Sequence, residues 1–108
     1  MIQSCNLFRP KHQTTPYTLQ YPSNFPAPTI PPTNELTVEG VRLGRHLFFD
    51  ERLSGDNTQS CNSCHLQESN FAEPFSFSTG IDGVDGSVNA MILSNIAWQQ
   101  FFFWNGRV

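Results

Sequence analysis

The most informative stretch of this sequence is Ser60-Cys61-Asn62-Ser63-Cys64-His65. It contains the pattern C-x-x-C-H, which attaches a c-type haem. Two thiols at this spacing can each add to a vinyl group of one haem, and the histidine that follows is then held beneath the iron as an axial ligand. Cys61, Cys64 and His65 are therefore predicted to bind a covalent haem, and Ser60 is predicted to cap the helical turn that carries them.

A zinc half-site and a thioredoxin-like dithiol are the alternatives for these residues. Zinc needs two more cysteine or histidine ligands at close spacing, but Cys5, His12 and His46 lie far upstream without a pair spacing. A redox dithiol is expected within a βαβ pattern, and none is visible here. The haem hypothesis is preferred.

The composition limits the remaining possibilities. A chain of 108 residues fits one small domain, and its ten phenylalanines suit the wall of a large aromatic cofactor. The net charge of −3 gives no basic patch for a nucleic acid. No apolar run of about 18 residues is present, so no membrane-spanning helix is predicted. Two of the three cysteines are assigned to haem, which leaves no pair for a disulfide.

Proline divides the chain into two parts. Residues 10–34 contain seven of the eight prolines, which predicts an extended linker or strap because proline removes backbone donors and disfavours helix in the residue before it. Tyr17, Tyr21 and Phe25 could tie this segment to a domain, and a disordered tether is the alternative. The predicted units are a tether over residues 1–34 and a haem domain over residues 35–108.

The sequence of residues 35–108 predicts helices joined by loops. Thr37 is predicted to cap a helix over residues 38–49, in which Gly40 and Gly44 leave one face smooth. Residues 53–58 form a predicted turn, residues 74–90 a loop, and residues from about 90 to 100 a last apolar helix. No convincing strand is present, so the predicted fold class is all-α.

The chain resembles the bacterial dihaem cytochrome c peroxidases and their MauG-like relatives. The shared patterns are Leu43-Gly-Arg-His-Leu-Phe-Phe-Asp50, Arg52-Leu-Ser-Gly-Asp-Asn57, Ser60-Cys-Asn-Ser-Cys-His65, Phe71, Ser78-Thr-Gly80, Gly86, Asn89 and Phe103-Trp-Asn-Gly-Arg107. They follow the family's order and spacing from about residue 35 onward. This series is much more specific than C-x-x-C-H alone.

The resemblance implies a cytochrome c-like domain of a two-domain enzyme with one haem in each domain. One haem would reduce hydrogen peroxide, and the other would accept electrons from a small cytochrome c or cupredoxin. The chain would be the N-terminal part, with the second haem domain C-terminal to it. A MauG-like oxidase and a monohaem electron carrier without catalysis are the alternatives.

The resemblance also implies roles for particular residues. His65 would be the proximal haem ligand, and Cys61 and Cys64 the thioether anchors. Trp104 would lie between the two haems and assist electron transfer, with a core or interface aromatic as the alternative. Asn89 would be a calcium ligand, since a side-chain carbonyl suits that ion, with an ordinary loop hydrogen bond as the alternative.

Three departures from the family pattern bear on the haem's coordination. Val88 stands where many members have arginine, and Asn105 where many have aspartate. The loop histidine that opens and closes the peroxidatic iron has no counterpart, because no histidine lies between residues 66 and 108. The haem would therefore be five-coordinate, or closed from the second domain, as in the MauG-like branch. Met91 could be a thioether ligand, although a core position is the more ordinary role.

Cys5 follows the small residue Ser4, as in a lipoprotein processing site, and the proline-rich segment after it would suit an anchored enzyme. The hydrophobic stretch that precedes such a site is absent from the sequence, and an unmodified thiol is the alternative. Haem attachment of this type takes place outside the cytoplasmic membrane. The predicted location is therefore the periplasm or cell envelope, with or without a lipid on Cys5.

Overall fold

The longest helix, α1 (Val38–Phe48), begins where the sequence predicts it, in a computed structural model that describes residues 13–106. Thr37 is extended, and its hydroxyl oxygen accepts a hydrogen bond from the Gly40 N–H at 3.0 Å. A Cβ on Gly40 would lie 2.9 Å from that oxygen, so a larger residue at this position would require the Thr37 hydroxyl to shift. At Gly44 a Cβ would meet nothing within 4 Å. The predicted cap and helix are confirmed, with the helix ending at Phe48.

The other elements are short. The second helix, α2 (Cys61–Cys64), is a single turn, and 3-10 turns cover Glu51–Leu53, Gln67–Ser69 and Ile96–Trp98. Between residues 13 and 106 the only extended pairings are isolated bridges, so no strand forms there. Helices and loops without strands are consistent with a cytochrome c-like fold. The predicted all-α class is confirmed to this extent. No helix in the same range is long and apolar enough to cross a membrane.

The helix predicted for residues 90–100 is wrong. Only Ile96–Trp98 is helical there, as one 3-10 turn, and Asn95 before it has a left-handed φ of 57°. Two backbone N–H groups at the start of this stretch bond to distant residues: Leu93 N–H donates to the Phe71 carbonyl at 3.2 Å, and Ala90 N–H to the Glu73 carboxylate at 3.4 Å. These tertiary bonds replace the helical ones, so local apolar periodicity gave the wrong element.

The described part of the proline-rich segment folds back onto α1. The Thr15 N–H and hydroxyl donate to the Glu39 carboxylate at 2.8 and 2.9 Å. Tyr17 N–H donates to the Leu36 carbonyl at 3.0 Å, and Val38 N–H to the Thr15 carbonyl at 2.8 Å. Hydrogen bonds from Thr15 lower the pKa of Glu39. The division of the chain at residue 34 stays a prediction, and Cys5 lies outside the described residues.

The described residues do not enclose a core of their own. None of residues 13–106 is buried, and large apolar side chains such as Leu43, Leu53 and Phe75 are 58%, 62% and 67% exposed. The radius of gyration is 18.7 Å, against about 13 Å for a compact chain of this length. The loops therefore present apolar surface that a cofactor or another domain can cover.

Candidate haem-binding site

The C-x-x-C-H residues meet on one helical turn. Cys61 and Cys64 are three residues apart on α2, so their thiols lie on the same side of the turn. His65 follows as the C-cap, and its N–H donates to the Cys61 carbonyl at 2.9 Å. The Ser60 N–H donates to the Ser63 hydroxyl at 3.0 Å, which closes the start of the turn. This places the two thiols and the imidazole next to one another.

The imidazole of His65 is held in one orientation and one tautomer. Its Nδ1 lies 3.1 Å from the backbone carbonyl oxygen of Phe71. A carbonyl can only accept a hydrogen bond, so Nδ1 is the donor in this contact, and Nε2 is the nitrogen that a neutral ring offers to a metal. Metal-binding histidines are oriented in this way, by donating the N–H that does not face the metal. His65 is therefore prepared to coordinate a metal through Nε2.

A strained turn aims the Phe71 carbonyl at His65. Asn70 and Phe71 both have left-handed backbones, with φ of 57° and 58°, a conformation that a bulky residue rarely adopts. Phe71 N–H donates to the Leu66 carbonyl at 2.8 Å. The Phe71 ring lies edge-on to Phe48 of α1, with centroids 6.2 Å apart. These contacts hold the turn in place. Asn70 belongs to a residue type that tolerates a left-handed backbone, and it was the one indication of this turn in the sequence.

The turn predicts a difference between two substitutions of Phe71. Phe71→Val should be less stable than Phe71→Leu by roughly 1–3 kcal/mol, because a β-branched side chain is poorly tolerated at positive φ whereas leucine is less hindered. Both variants lose the ring contact with Phe48, so the comparison isolates the backbone. Urea denaturation followed by circular dichroism measures the difference. Equal midpoints for the two variants would contradict the strained turn.

Glu73 is a site residue that sequence reasoning missed. Its carboxylate accepts hydrogen bonds from the Ser78 hydroxyl and, at 3.4 Å, from the Ala90 N–H, so it joins both ends of the loop over residues 74–90. Burial raises the pKa of the Cys64 thiol, and the negative charge of Glu73 adds to the shift. The folded chain thus favours the protonated thiol at Cys64. No sequence motif pointed to this carboxylate.

Trp104 and Asn89, both singled out by the family resemblance, are in contact. The indole N–H of Trp104 donates to the Asn89 backbone carbonyl at 3.0 Å, and Trp104 remains 63% exposed. Beside them the Phe103 N–H donates to the Met91 sulfur at 3.1 Å. These residues line a cavity of about 240 Å³. The structure thus brings the predicted electron-transfer residue and the predicted calcium ligand together.

The surroundings of the turn fit a haem better than zinc. Phe71, whose carbonyl orients His65, shares a cleft of about 440 Å³ with Arg45, Phe48, Phe49 and Gln67. Aromatic walls suit a porphyrin face, and a guanidinium suits a propionate. Zinc would need further ligands, and within residues 13–106 no three His, Cys, Asp or Glu side chains form a metal-binding group.

Two cysteines and a histidine on one turn, in a fold of helices and loops, define a c-type haem protein. The chain matches the family model for di-haem cytochrome c peroxidase over residues 38–108 and belongs to that family. Membership implies covalently bound haem c. The recognition of the family from its motifs is therefore confirmed.

Individual relatives agree with the family match. A cytochrome-c peroxidase of Denitromonas iodatirespirans is 39% identical over 79 residues, which are 73% of this chain and 22% of that protein. The methylamine utilization protein MauG of Methylophilus methylotrophus is 31% identical over 86 residues, 80% of this chain and 25% of that protein. The crystal structure of a MauG-like protein associated with microbial copper homeostasis superposes with a TM-score of 0.77 at 38% identity, covering 82% of this chain and 25% of that one. The chain thus spans about a quarter or less of the length of these proteins.

Proposed function

We propose that this chain is the N-terminal haem-binding part of a dihaem enzyme that reduces hydrogen peroxide with electrons from a small redox protein. The observation that carries the proposal is the His65 imidazole, which donates from Nδ1 to the Phe71 carbonyl at 3.1 Å directly after the turn of Cys61 and Cys64. Thioether anchors and an oriented axial ligand are the parts that a c-type haem needs from its protein.

Each residue has a distinct role in this proposal. The Cys61 and Cys64 thiols would form the thioethers, and His65 Nε2 would hold the iron while the Phe71 carbonyl orients the ring. When bound, the haem supplies a redox-active iron that exchanges electrons with peroxide or with the second haem. Trp104 presents a π system on the surface, at the place where the resemblance puts the path between haems. Its bond to Asn89 restrains the indole.

Other partners follow from the family and from the lengths of the relatives. We propose that the second haem domain lies C-terminal to this chain, and that the electron donor is a small cytochrome c or cupredoxin. Calcium at Asn89 would need ligands from that second domain. We also propose a location in the periplasm or cell envelope, with Cys5 as the site of a lipid anchor.

A MauG-like oxidase is the second candidate. The chain has no histidine in the loop that would close the iron, and relatives named MauG or MauG-like match it at 31% and 38% identity. In either enzyme the iron of this domain needs a site open to a small oxidant. A monohaem electron carrier would instead have a permanent sixth ligand.

The coordination of the haem tests the proposal. The haem-loaded chain should be high-spin or bind exogenous ligands, with cyanide and imidazole entering readily, because His65 is the one histidine among residues 13–106 whose ring is oriented by a hydrogen bond in the structure. Visible absorption spectroscopy and magnetic circular dichroism report this directly. A low-spin spectrum with a methionine–iron band that disappears in Met91→Leu would favour the electron carrier, and a colourless product loaded with zinc would exclude both haem proposals.

A further inference from the structure

The proline-rich segment makes a second, specific attachment far from α1. The rings of Tyr21 and Phe25 stand edge-on against Trp98, with centroid distances of 5.6 and 5.4 Å and interplanar angles of 75° and 83°. The Trp98 indole N–H donates to the Pro26 carbonyl at 2.7 Å. We call these four residues the aromatic clasp. Two ring edges and a short hydrogen bond on one indole give it a defined geometry.

The segment between its two attachments is stiff. Prolines limit backbone freedom through this stretch, and two turns shape it, with Phe25 N–H donating to the Pro22 carbonyl and Asn34 N–H to the Pro31 carbonyl, both at 2.9 Å. One end is bound to α1 through Thr15 and Glu39. A stiff segment fixed at both ends can hold Trp98 at a set position relative to α1.

Trp98 lies near the start of residues 96–106, the stretch that also contains Trp104. Both tryptophans use the indole N–H to bind a backbone carbonyl, Trp98 to Pro26 at 2.7 Å and Trp104 to Asn89 at 3.0 Å. Residues 96–106 are thus fixed near both ends, although Phe101 and Trp104 are 69% and 63% exposed. The Phe103 N–H bond to the Met91 sulfur at 3.1 Å also holds the Trp104 end of this stretch, whereas the clasp holds its Trp98 end.

We infer that residues 15–38 form a strap whose aromatic clasp on Trp98 positions the segment that carries Trp104. Trp98 is a positioning residue in this inference, since it acts through the backbone that leads to Trp104. The consequence for electron transfer between haems rests on the proposed function, whereas the mechanical role of the strap does not.

Hydrogen–deuterium exchange of the haem-loaded chain, followed by mass spectrometry, tests the strap. In Tyr21→Ala/Phe25→Ala, amides of residues 96–106 should exchange about tenfold or more faster than in the unaltered chain, because the clasp rings are gone. Trp98→Phe keeps one six-membered ring but removes the N–H together with the five-membered ring of the indole, so it should give a smaller increase in the same peptide. Phe75→Ala/Phe77→Ala removes two exposed rings outside the clasp and should leave residues 96–106 unchanged.

Faster exchange confined to residues 15–38 would overturn the inference, because the strap would then contact Trp98 without restraining residues 96–106. If the double variant unfolds, so that all of its amides exchange rapidly, the Trp98→Phe variant decides the test. Unchanged exchange over residues 96–106 in that variant would overturn the inference that the strap holds this segment.

Haem staining of each variant separates the strap inference from the proposed function. A chain without covalent haem whose residues 96–106 still depend on the clasp would refute the proposed function and retain the strap.

Discussion

A Cys61→Ala/Cys64→Ala variant is expected to lose all haem that survives denaturing electrophoresis. Each thiol supplies one covalent bond to the cofactor, and without both bonds only the His65 coordination remains, which denaturant breaks. The measurement is a haem stain of the denatured protein, made after expression with a c-type haem maturation system.

Cys5→Ala is the matched control for this experiment, since it removes the remaining cysteine of the chain and leaves the turn of α2 intact. It should keep the full stain. Each single variant, Cys61→Ala or Cys64→Ala, should keep part of it through one thioether. Stain that persists in the double variant would contradict the assignment of the two cysteines.

The second large effect concerns turnover. Residues 1–108 alone should reduce peroxide at least about 100-fold more slowly than a protein extended through the second haem domain, since positioned acid–base groups alone contribute about 10²–10⁴ in rate. On the family resemblance, those groups lie C-terminal to Val108. Steady-state peroxide consumption with a reduced donor protein measures the difference.

Trp104→Phe in the extended protein separates electron transfer from peroxide binding. The rate of electron transfer between the haems should fall because phenylalanine has a smaller π system and no N–H to bind Asn89, while peroxide binding should stay nearly unchanged. Equal turnover by the short and extended proteins would contradict the dihaem proposal itself.

The sequence predicted the parts of the molecule that depend on local chemistry. The Thr37 cap, α1 and the turn of Cys61 and Cys64 are encoded by neighbouring residues, so pattern and spacing were enough. The family was recognised from motifs in order, although the roles of Trp104 and Asn89 stay predictions. Their contact was not predictable, because it joins residues 15 positions apart through a backbone carbonyl.

Features that depend on distant partners were missed. The apolar run from Ala90 resembles a helix, but the Leu93 and Ala90 N–H groups donate to Phe71 and Glu73, and no regular helix forms there. The carbonyl that orients His65 belongs to a phenylalanine in a left-handed turn, a conformation that its residue type argues against. The clasp on Trp98 joins positions 72 residues apart. Asn70, Tyr21 and Phe25 were local signals for the turn and for the attachment of the proline-rich segment, but the sequence did not indicate the distant partners His65 and Trp98.

The open arrangement of residues 13–106, with no buried side chain among them, has a consequence for how the protein is made. Side chains that are not packed against one another stay accessible, so a maturation system can reach the Cys61 and Cys64 thiols before any porphyrin is attached. Thioether bonds would then hold the cofactor permanently on α2, and the apolar side chains near it would pack into one arrangement. Covalent attachment would thus come before the final packing of the domain.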